Sequence, residues 1–232
     1  MVEIGGYPII WHIMKSYAHY GFNDFIAALG YKGEFIKDYF LRYRMLSADL
    51  TVNLATGKTK TVAAPKENWK IQLLDTGNNT LTGGRLFRLE PLLRSGKTFM
   101  LTYGDGVSNV DLKKLLAFHR KHGKLATVTA VRPPARFGTM SFDGDRVVDF
   151  KEKPQTESGW INGGFFVFEP GIFDYLSGDD TVLEADPLEH LARDGQLMAY
   201  KHNDFWQCMD TVRDKMRLEE LWQSGSAPWK SW

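Results

Sequence analysis

The chain has 232 residues, a length that predicts one large domain or two small ones. Its 29 Lys and Arg nearly balance its 28 Asp and Glu, and the net charge of +1 gives no electrostatic basis for binding nucleic acid or an anionic membrane. The single cysteine, Cys208, excludes an internal disulfide and a cysteine-based zinc site, and it fits a reducing compartment.

The N-terminal half alternates between strand and helix patterns. Apolar runs that end in glycine or a polar turn predict strands at 25–30, 69–74, 98–103 and 125–131. Helical spacing predicts helices at 8–20, 34–45, 85–94 and 111–122, and a hairpin is expected at 50–54 and 59–63. This alternation predicts an α/β fold with a mostly parallel, doubly wound sheet.

From about residue 132 the pattern changes to short strands separated by Pro and Gly turns. Strands are predicted at 138–142, 146–151, 161–168 and 197–202, and helices near 170–177, 183–194 and 211–224. No low-complexity linker separates the two halves. We therefore expect a single domain over 1–232 that carries a smaller antiparallel elaboration.

No apolar run is long enough to span a bilayer, and the first residues do not resemble a targeting leader. We therefore expect a cytoplasmic protein.

Two aspartates are candidate metal ligands. Asp105 lies in Tyr103-Gly104-Asp105-Gly106, at the carboxyl end of a predicted strand, where parallel sheets bind ligands. Asp210 lies just before the last predicted helix. Either residue could instead cap a turn or helix. Together they could hold one Mg²⁺, which takes one or two carboxylates and phosphate oxygens.

A short glycine loop, Thr80 to Arg85, opens a predicted helix and is a candidate anion site. It matches neither the Walker loop nor the Gly-x-Gly-x-x-Gly pattern, so the signal is weak by itself.

Two further segments could contact a sugar phosphate. In Lys151-Glu152-Lys153-Pro154, Lys153 could meet a phosphate and Glu152 could accept from hydroxyls, although a solvated charged turn is the plainer interpretation. The glycines of Ile161-Asn162-Gly163-Gly164 suit a flat ligand lying on the backbone, or only a bulge.

Other conspicuous residues suggest packing. His119 and His122, three apart on a predicted helix, are expected at the surface, and Cys208 is expected to pack in the interior. The tryptophans at 222, 229 and 232 suggest a subunit contact.

Taken together, several segments resemble the sugar nucleotidyltransferases over nearly the whole chain. The segments are MVEIGGYP at 1–8, TGGR at 82–85, YGDG at 103–106, RFG at 136–138, EKP at 152–154, INGGFF at 161–166 and FWQCMDT at 205–211. INGGFF, FWQCMDT and the terminal APWKSW are similar to the subgroup that uses CTP and glucose 1-phosphate to make CDP-glucose for bacterial surface sugars such as O-antigen dideoxyhexoses.

The resemblance implies a Rossmann-like nucleotidyltransferase fold, with a nucleotide-binding part at 1–131, a sugar-binding part with the C-terminal helices at 132–232, and a homo-oligomer. It implies a Mg²⁺-dependent transfer in which catalysis rests on positioning and charge neutralisation. The implied roles are Mg²⁺ binding by Asp105 and Asp210; nucleotide contact by Thr80, Gly84, Arg85 and Gly104; sugar contact by Gly138, Glu152, Asn162 and Gly163; and phosphate pairing by Lys153, with Asp105, Arg85 and Lys153 as the catalytic groups.

One segment departs from the family pattern. The family begins with a strand and a glycine-rich turn ending in Gly-x-x-Arg, then a Lys-Pro segment, and these groups bind the triphosphate. The sequence here starts after that segment. We therefore expect that the 232 residues alone bind CTP weakly. A UTP- or dTTP-dependent enzyme and a non-catalytic module that binds sugar phosphate remain alternatives.

Overall fold

The computed structural model describes residues 2–61, 67–133, 139–151 and 159–232. The helices are α1 Ile9–His19, α2 Gly33–Leu46, α3 Thr82–Arg88, α4 Glu90–Leu93, α5 Leu112–His122, α6 Asp186–Arg193 and α7 Val212–Gln223, with a 3₁₀ helix at Pro170–Tyr175. The strands are β1 Glu3–Ile4, β2 Tyr7–Pro8, β3 Asp24–Leu29, β4 Leu50–Asn53, β5 Lys58–Thr61, β6 Lys70–Asp75, β7 Phe99–Thr102, β8 Gly106–Ser108, β9 Ala126–Val131, β10 Thr139–Asp143, β11 Arg146–Lys151, β12 Ile161–Phe168, β13 Leu197–His202 and β14 Trp206–Cys208.

The main sheet has the strand order β13-β9-β12-β7. β13 runs parallel to β9, whereas β12 runs antiparallel to both of its neighbours. Strand 161–168 was expected in the antiparallel elaboration, but it lies inside the main sheet, because its residues 163–168 are all buried and suit a strand covered on both faces. The remaining elaboration is the antiparallel pair β10–β11.

Strands β3 and β6 form a separate two-stranded parallel sheet. Both the backbone amide and the hydroxyl of Thr76 donate to the carbonyl oxygen of Leu29, at 2.7 and 2.8 Å. These bonds hold the carboxyl ends of the two strands together.

Side chains of β12 build a core on each face of the main sheet. Phe165 and Val167 pack in one cluster with residues of α1, α5 and α7. Phe166 and Phe168 point to the other face, where they pack with residues of α3, α6 and the 3₁₀ helix. Helices therefore cover the sheet on both sides, which is the predicted α/β architecture. The predicted boundary at 131/132 divides strands of this one sheet, and the roles of the two parts stay predictions.

The C-terminal tryptophans pack against α1, and one of them lies fully inside the protein. Trp229 is 1% exposed and donates from its indole nitrogen to Nδ1 of the buried His12, at 3.4 Å. Trp222 and Trp232 pack partly buried on the same cluster. A subunit contact through Trp229 is therefore wrong, because the residue belongs to the core of its own chain.

The expectation of a surface position is wrong for His119. This residue is 1% exposed, because it shares the sheet-facing stripe of α5 with Leu112 and Leu115. Its Nδ1 lies 2.8 Å from the Thr127 hydroxyl and its Nε2 lies 3.2 Å from Glu169. The helical pattern could not predict this burial, because a histidine ring is buried only where hydrogen-bond partners such as Thr127 and Glu169 meet it in the fold.

These contacts predict an acid-sensitive stability. Desolvation by burial lowers the pKa of His12, His119, His122 and His202. Because the unfolded chain then binds protons more readily than the folded chain, stability is present above the ordinary histidine pKa and is lost as the pH falls through it. We expect the urea midpoint to fall between about pH 7.5 and about pH 5.5, a window above that of the carboxylates.

The matched variant for this prediction is His119→Gln, which keeps hydrogen-bonding groups but cannot titrate. Its midpoint should depend less on pH over the same window. Equal midpoints at both pH values in the parent protein would contradict the prediction.

Within the described ranges, no helix is both long and apolar enough to cross a bilayer. The cytoplasmic location stays a prediction.

Candidate active site

A short antiparallel ladder brings the two predicted metal ligands together. β8 pairs with β14 in the register Gly106 to Cys208, and the Met209 amide donates to the Asp105 carbonyl oxygen at 2.8 Å. Asp105 and Asp210 therefore flank the same end of this ladder, although nearly half of the chain lies between them.

The charges of these two carboxylates interact. Desolvation by the surrounding protein, followed by the negative charge of Asp210, raises the pKa of the Asp105 carboxyl. A cation between them would relieve this repulsion. The described residues contain no cluster of three or more His, Cys, Asp or Glu side chains suited to a metal. A carboxylate pair still fits Mg²⁺, which keeps waters and phosphate oxygens as its other ligands.

Two neighbours of the pair shape its surroundings. Cys208, expected in the interior, is half-buried, and its sulfur lies 3.3 Å from an Asp210 carboxylate oxygen. Gly104 lies open, since a Cβ there would meet no protein atom within 4 Å. A ligand could therefore approach the backbone directly beside Asp105.

Arg85 lies at the carboxyl ends of β3 and β6. Its Nη1 donates to the Thr76 hydroxyl at 2.8 Å and to the Gly77 carbonyl oxygen at 3.0 Å. The guanidinium lies so close to Gly30 that a Cβ at residue 30 would be 2.3 Å from it. These contacts hold Arg85 at the crevice of the β3–β6 pair and do not place it against the aspartates.

The glycine loop before Arg85 is engaged within the protein. The amides of Gly83 and Gly84 donate to the Thr181 carbonyl oxygen at 2.9 and 3.1 Å. The predicted anion site at this helix start therefore lacks two of its donors. Thr80 is 6% exposed and packs beside Gly77. Nucleotide contact by Thr80, Gly84, Arg85 and Gly104 stays a prediction.

A substitution separates packing from ligand contact at Gly84. A Cβ on Gly84 would lie 2.1 Å from the Asp179 carbonyl oxygen, which is backbone and cannot swing away. We expect Gly84→Ala to lower the free energy of unfolding by about 1–3 kcal/mol, the usual cost of overpacking. Thermal melts measure this, with Gly104→Ala as the control that should leave the melting temperature unchanged. Equal melting temperatures for both variants would contradict the packing role.

The INGG segment forms a bulge in β12 between Asn162 and Phe166. Gly164 has φ +78, and a Cβ there would lie 2.6 Å from the Tyr103 ring. Gly163 packs closely on β9, and its carbonyl oxygen accepts from the Trp206 indole at 2.8 Å. The bulge begins at Asn162, which lies beside Tyr103: the Asn162 side-chain amide donates to the Tyr103 hydroxyl at 3.1 Å. The predicted sugar-side residue Asn162 and the Asp105 loop are thus neighbours.

One residue of this region, Glu184, carries no sequence signal. It precedes α6 and accepts hydrogen bonds from the hydroxyls of Tyr103 and Thr82. Three predicted residues, Gly138, Glu152 and Lys153, lie outside the described residues, so their roles stay predictions.

Comparison with known proteins identifies the family of the chain. The sequence model of the family described as Nucleotidyl transferase matches residues 1–213. The chain belongs to this family. The same membership follows from relatives that align with all of it.

Glucose-1-phosphate cytidylyltransferase of Salmonella typhi is 47% identical over 232 residues, which are 100% of this chain and 90% of that protein. The probable glucose-1-phosphate cytidylyltransferase of Bacillus subtilis (strain 168) is 44% identical over 233 residues, covering 100% of this chain and 91% of that protein. Both relatives align with the whole of this chain.

Solved structures agree on the fold. HddC from Yersinia pseudotuberculosis aligns with a TM-score of 0.68 at 20% identity, covering 96% of this chain and 88% of that one. The inositol-1-phosphate CTP transferase from T. maritima aligns with a TM-score of 0.63 at 13% identity, covering 99% and 86%. The predicted α/β nucleotidyltransferase fold is confirmed.

Proposed function

We propose that the protein transfers the cytidylyl group of CTP to α-D-glucose 1-phosphate and forms CDP-glucose and pyrophosphate. The 47% identity to the Salmonella typhi glucose-1-phosphate cytidylyltransferase, over the whole chain, carries the proposal. The paired carboxylates of Asp105 and Asp210 support it, because phosphoryl transfer needs charge neutralisation at the phosphates.

In the proposed reaction, an oxygen of the sugar phosphate attacks the α-phosphorus of CTP in line. A new phosphorus–oxygen bond forms, the bond to the bridging oxygen of the β-phosphate breaks, and pyrophosphate leaves with the electron pair. Asp105 and Asp210 would hold Mg²⁺, which supplies Lewis-acid neutralisation of the phosphate charge when bound. No protein nucleophile takes part, so the protein's contribution is positioning.

The remaining roles are proposed from the family resemblance. Lys153 would pair with the sugar phosphate as a point charge. Arg85, Thr80, Gly84 and Gly104 would lie on the nucleotide side; Gly138, Glu152, Asn162 and Gly163 would lie on the sugar side.

The decisive experiment is product analysis with competing donors. The protein is incubated with Mg²⁺, glucose 1-phosphate and equal CTP, UTP and dTTP, and nucleotide sugars are separated by anion exchange and weighed by mass spectrometry. CDP-glucose as the main product supports the proposal. Preference for UTP or dTTP would replace CTP as the donor, and binding of glucose 1-phosphate without any product would favour the non-catalytic module.

We further propose that the CDP-glucose feeds the dideoxyhexoses of surface polysaccharide, such as O-antigen. Deletion of the gene should then remove these sugars from the polysaccharide, and an unchanged sugar composition would contradict this role.

We also propose a homo-oligomer from the family resemblance, and exposed apolar side chains on α2 and in the β4–β5 hairpin support it. Leu41 and Leu46 of α2 are about three-quarters exposed, and Leu54 of the hairpin turn is 92% exposed. Large exposed apolar side chains favour association. Light scattering should show an oligomer that Leu41→Glu with Leu46→Glu dissociates, whereas Met216→Glu on α7, also exposed, should not. A monomeric parent protein would contradict the proposal.

A further inference from the structure

The carboxylate of Glu184 joins the glycine loop to the segment that precedes Asp105. One oxygen accepts from the Thr82 hydroxyl at 2.6 Å, in the glycine loop of the nucleotide side. The other accepts from the hydroxyl of Tyr103, two residues before Asp105. Thr82 is itself held, because its hydroxyl oxygen accepts from the Leu183 amide at 2.9 Å. Glu184 is thus fixed at a junction.

The direction of each hydrogen bond is set by chemistry. An ionised carboxylate only accepts, so the Tyr103 hydroxyl must donate its single proton to Glu184. Its oxygen is left to accept, and it accepts from Nδ2 of Asn162 at 3.1 Å. A phenol is protonated at neutral pH, so the Tyr103 hydroxyl has this one proton to donate.

The same contacts fix the amide of Asn162. Its Oδ1 accepts from the Gly164 amide at 2.8 Å, while Nδ2 points to Tyr103. If the oxygen and nitrogen of this amide were exchanged, two acceptors would face each other at Tyr103 and two donors would face each other at Gly164. One N–H of Nδ2 remains beyond the bond to Tyr103, and Asn162 is an exposed residue at the entry of β12.

We propose that Glu184 is a positioning residue: through the Tyr103 hydroxyl it fixes the Asn162 side-chain amide so that this amide meets a hydroxyl group of the sugar phosphate. The inference rests on the proposed function, because it assumes that Asn162 lies on the sugar side.

The test compares Glu184→Ala and Tyr103→Phe with the control Glu189→Ala, which removes an exposed carboxylate from α6. Tyr103→Phe removes only the hydroxyl. In both test variants we expect the KM for glucose 1-phosphate to rise about tenfold, the size expected for loss of one hydrogen bond to a ligand. The KM for CTP should change less than about twofold on the same basis. Glu184→Gln, which keeps one acceptor oxygen, should lie between parent and Glu184→Ala.

A second readout does not depend on turnover. In protein labelled with ¹⁵N-asparagine, the side-chain signal of Asn162 is identified by its loss in Asn162→Asp. It should shift in Glu184→Ala and Tyr103→Phe and stay in place in Glu189→Ala.

The outcomes separate this inference from the proposed function. If the parent protein makes no CDP-glucose, the proposed function is refuted. In that case, whether Glu184 positions Asn162 is decided by the Asn162 signal and by calorimetric binding of glucose 1-phosphate. An unmoved Asn162 signal overturns the inference. Equal rises in both KM values, or a change in melting temperature alone, overturn it as well.

Discussion

Asp105→Asn should reduce turnover at least about a hundredfold, because it would remove a proposed ligand of the cation that neutralises the transferring phosphate, and with it several kcal/mol of transition-state stabilisation. The melting temperature should stay the same or rise. Desolvation and the charge of Asp210 raise the pKa of Asp105, which means that the folded protein disfavours the charged carboxylate. A neutral amide removes that unfavourable charge. Steady-state rates and thermal melts at neutral pH measure both effects.

The control for this prediction is Asp111→Ala. The Asp111 carboxylate caps α5 by accepting from the Lys114 amide at 2.9 Å. Desolvation raises the pKa of this carboxyl, but its contacts with Lys114 and Lys113 together outweigh that effect and lower the pKa. Its removal should lower the free energy of unfolding by about 1 kcal/mol, as the loss of a helix cap does, and leave turnover unchanged. An Asp105→Asn variant that retains more than about a tenth of the parent rate would show that Asp105 is not a metal ligand.

Trp229→Ala should lower the free energy of unfolding by about 3–5 kcal/mol, the range measured when a buried large aromatic is truncated. The Trp229 ring is 1% exposed and stacks with Phe205 at a centroid distance of 5.6 Å and with Trp222 at 6.4 Å. Its loss also leaves His12 without the indole donor. Since a whole domain is stabilised by only about 5–15 kcal/mol, urea denaturation should show a large shift.

Trp232→Ala is the matched control, because this ring is only partly buried and meets Trp11 edge-on at 6.0 Å. It should cost clearly less than Trp229→Ala. Equal losses would mean that the tail docks as one unit, and no loss for Trp229→Ala would show that the core closes without it.

The sequence pattern predicted most elements of the fold to within one or two residues. Strand 197–202 has the predicted bounds. The predicted helix 85–94 was placed less well, because α3 begins at Thr82 and a second helix starts at Glu90. Pro91 explains the break: proline has no amide to donate, so it suits a first turn and opposes a continuous helix.

Prediction was harder at the site, for physical reasons. Asp105 and Asp210 carry a local signal, since each lies in a short polar segment beside a strand or helix end. Glu184 carries none, because its two partners are brought to it only by tertiary structure. The glycine at position 84 fits either an anion site or close packing. Only the distance from a Cβ at Gly84 to the Asp179 carbonyl oxygen shows that it packs closely.

The β8–β14 ladder has a consequence for folding kinetics. Closing a loop of nearly half the chain costs conformational entropy before the contact can stabilise the fold, so such contacts form late in folding. During synthesis the carboxylate pair cannot exist until Asp210 has left the ribosome. Affinity for the proposed metal should therefore return with the slowest phase of refolding and not with early helix formation. Paramagnetic Mn²⁺, bound in place of Mg²⁺, would report when the fold is complete.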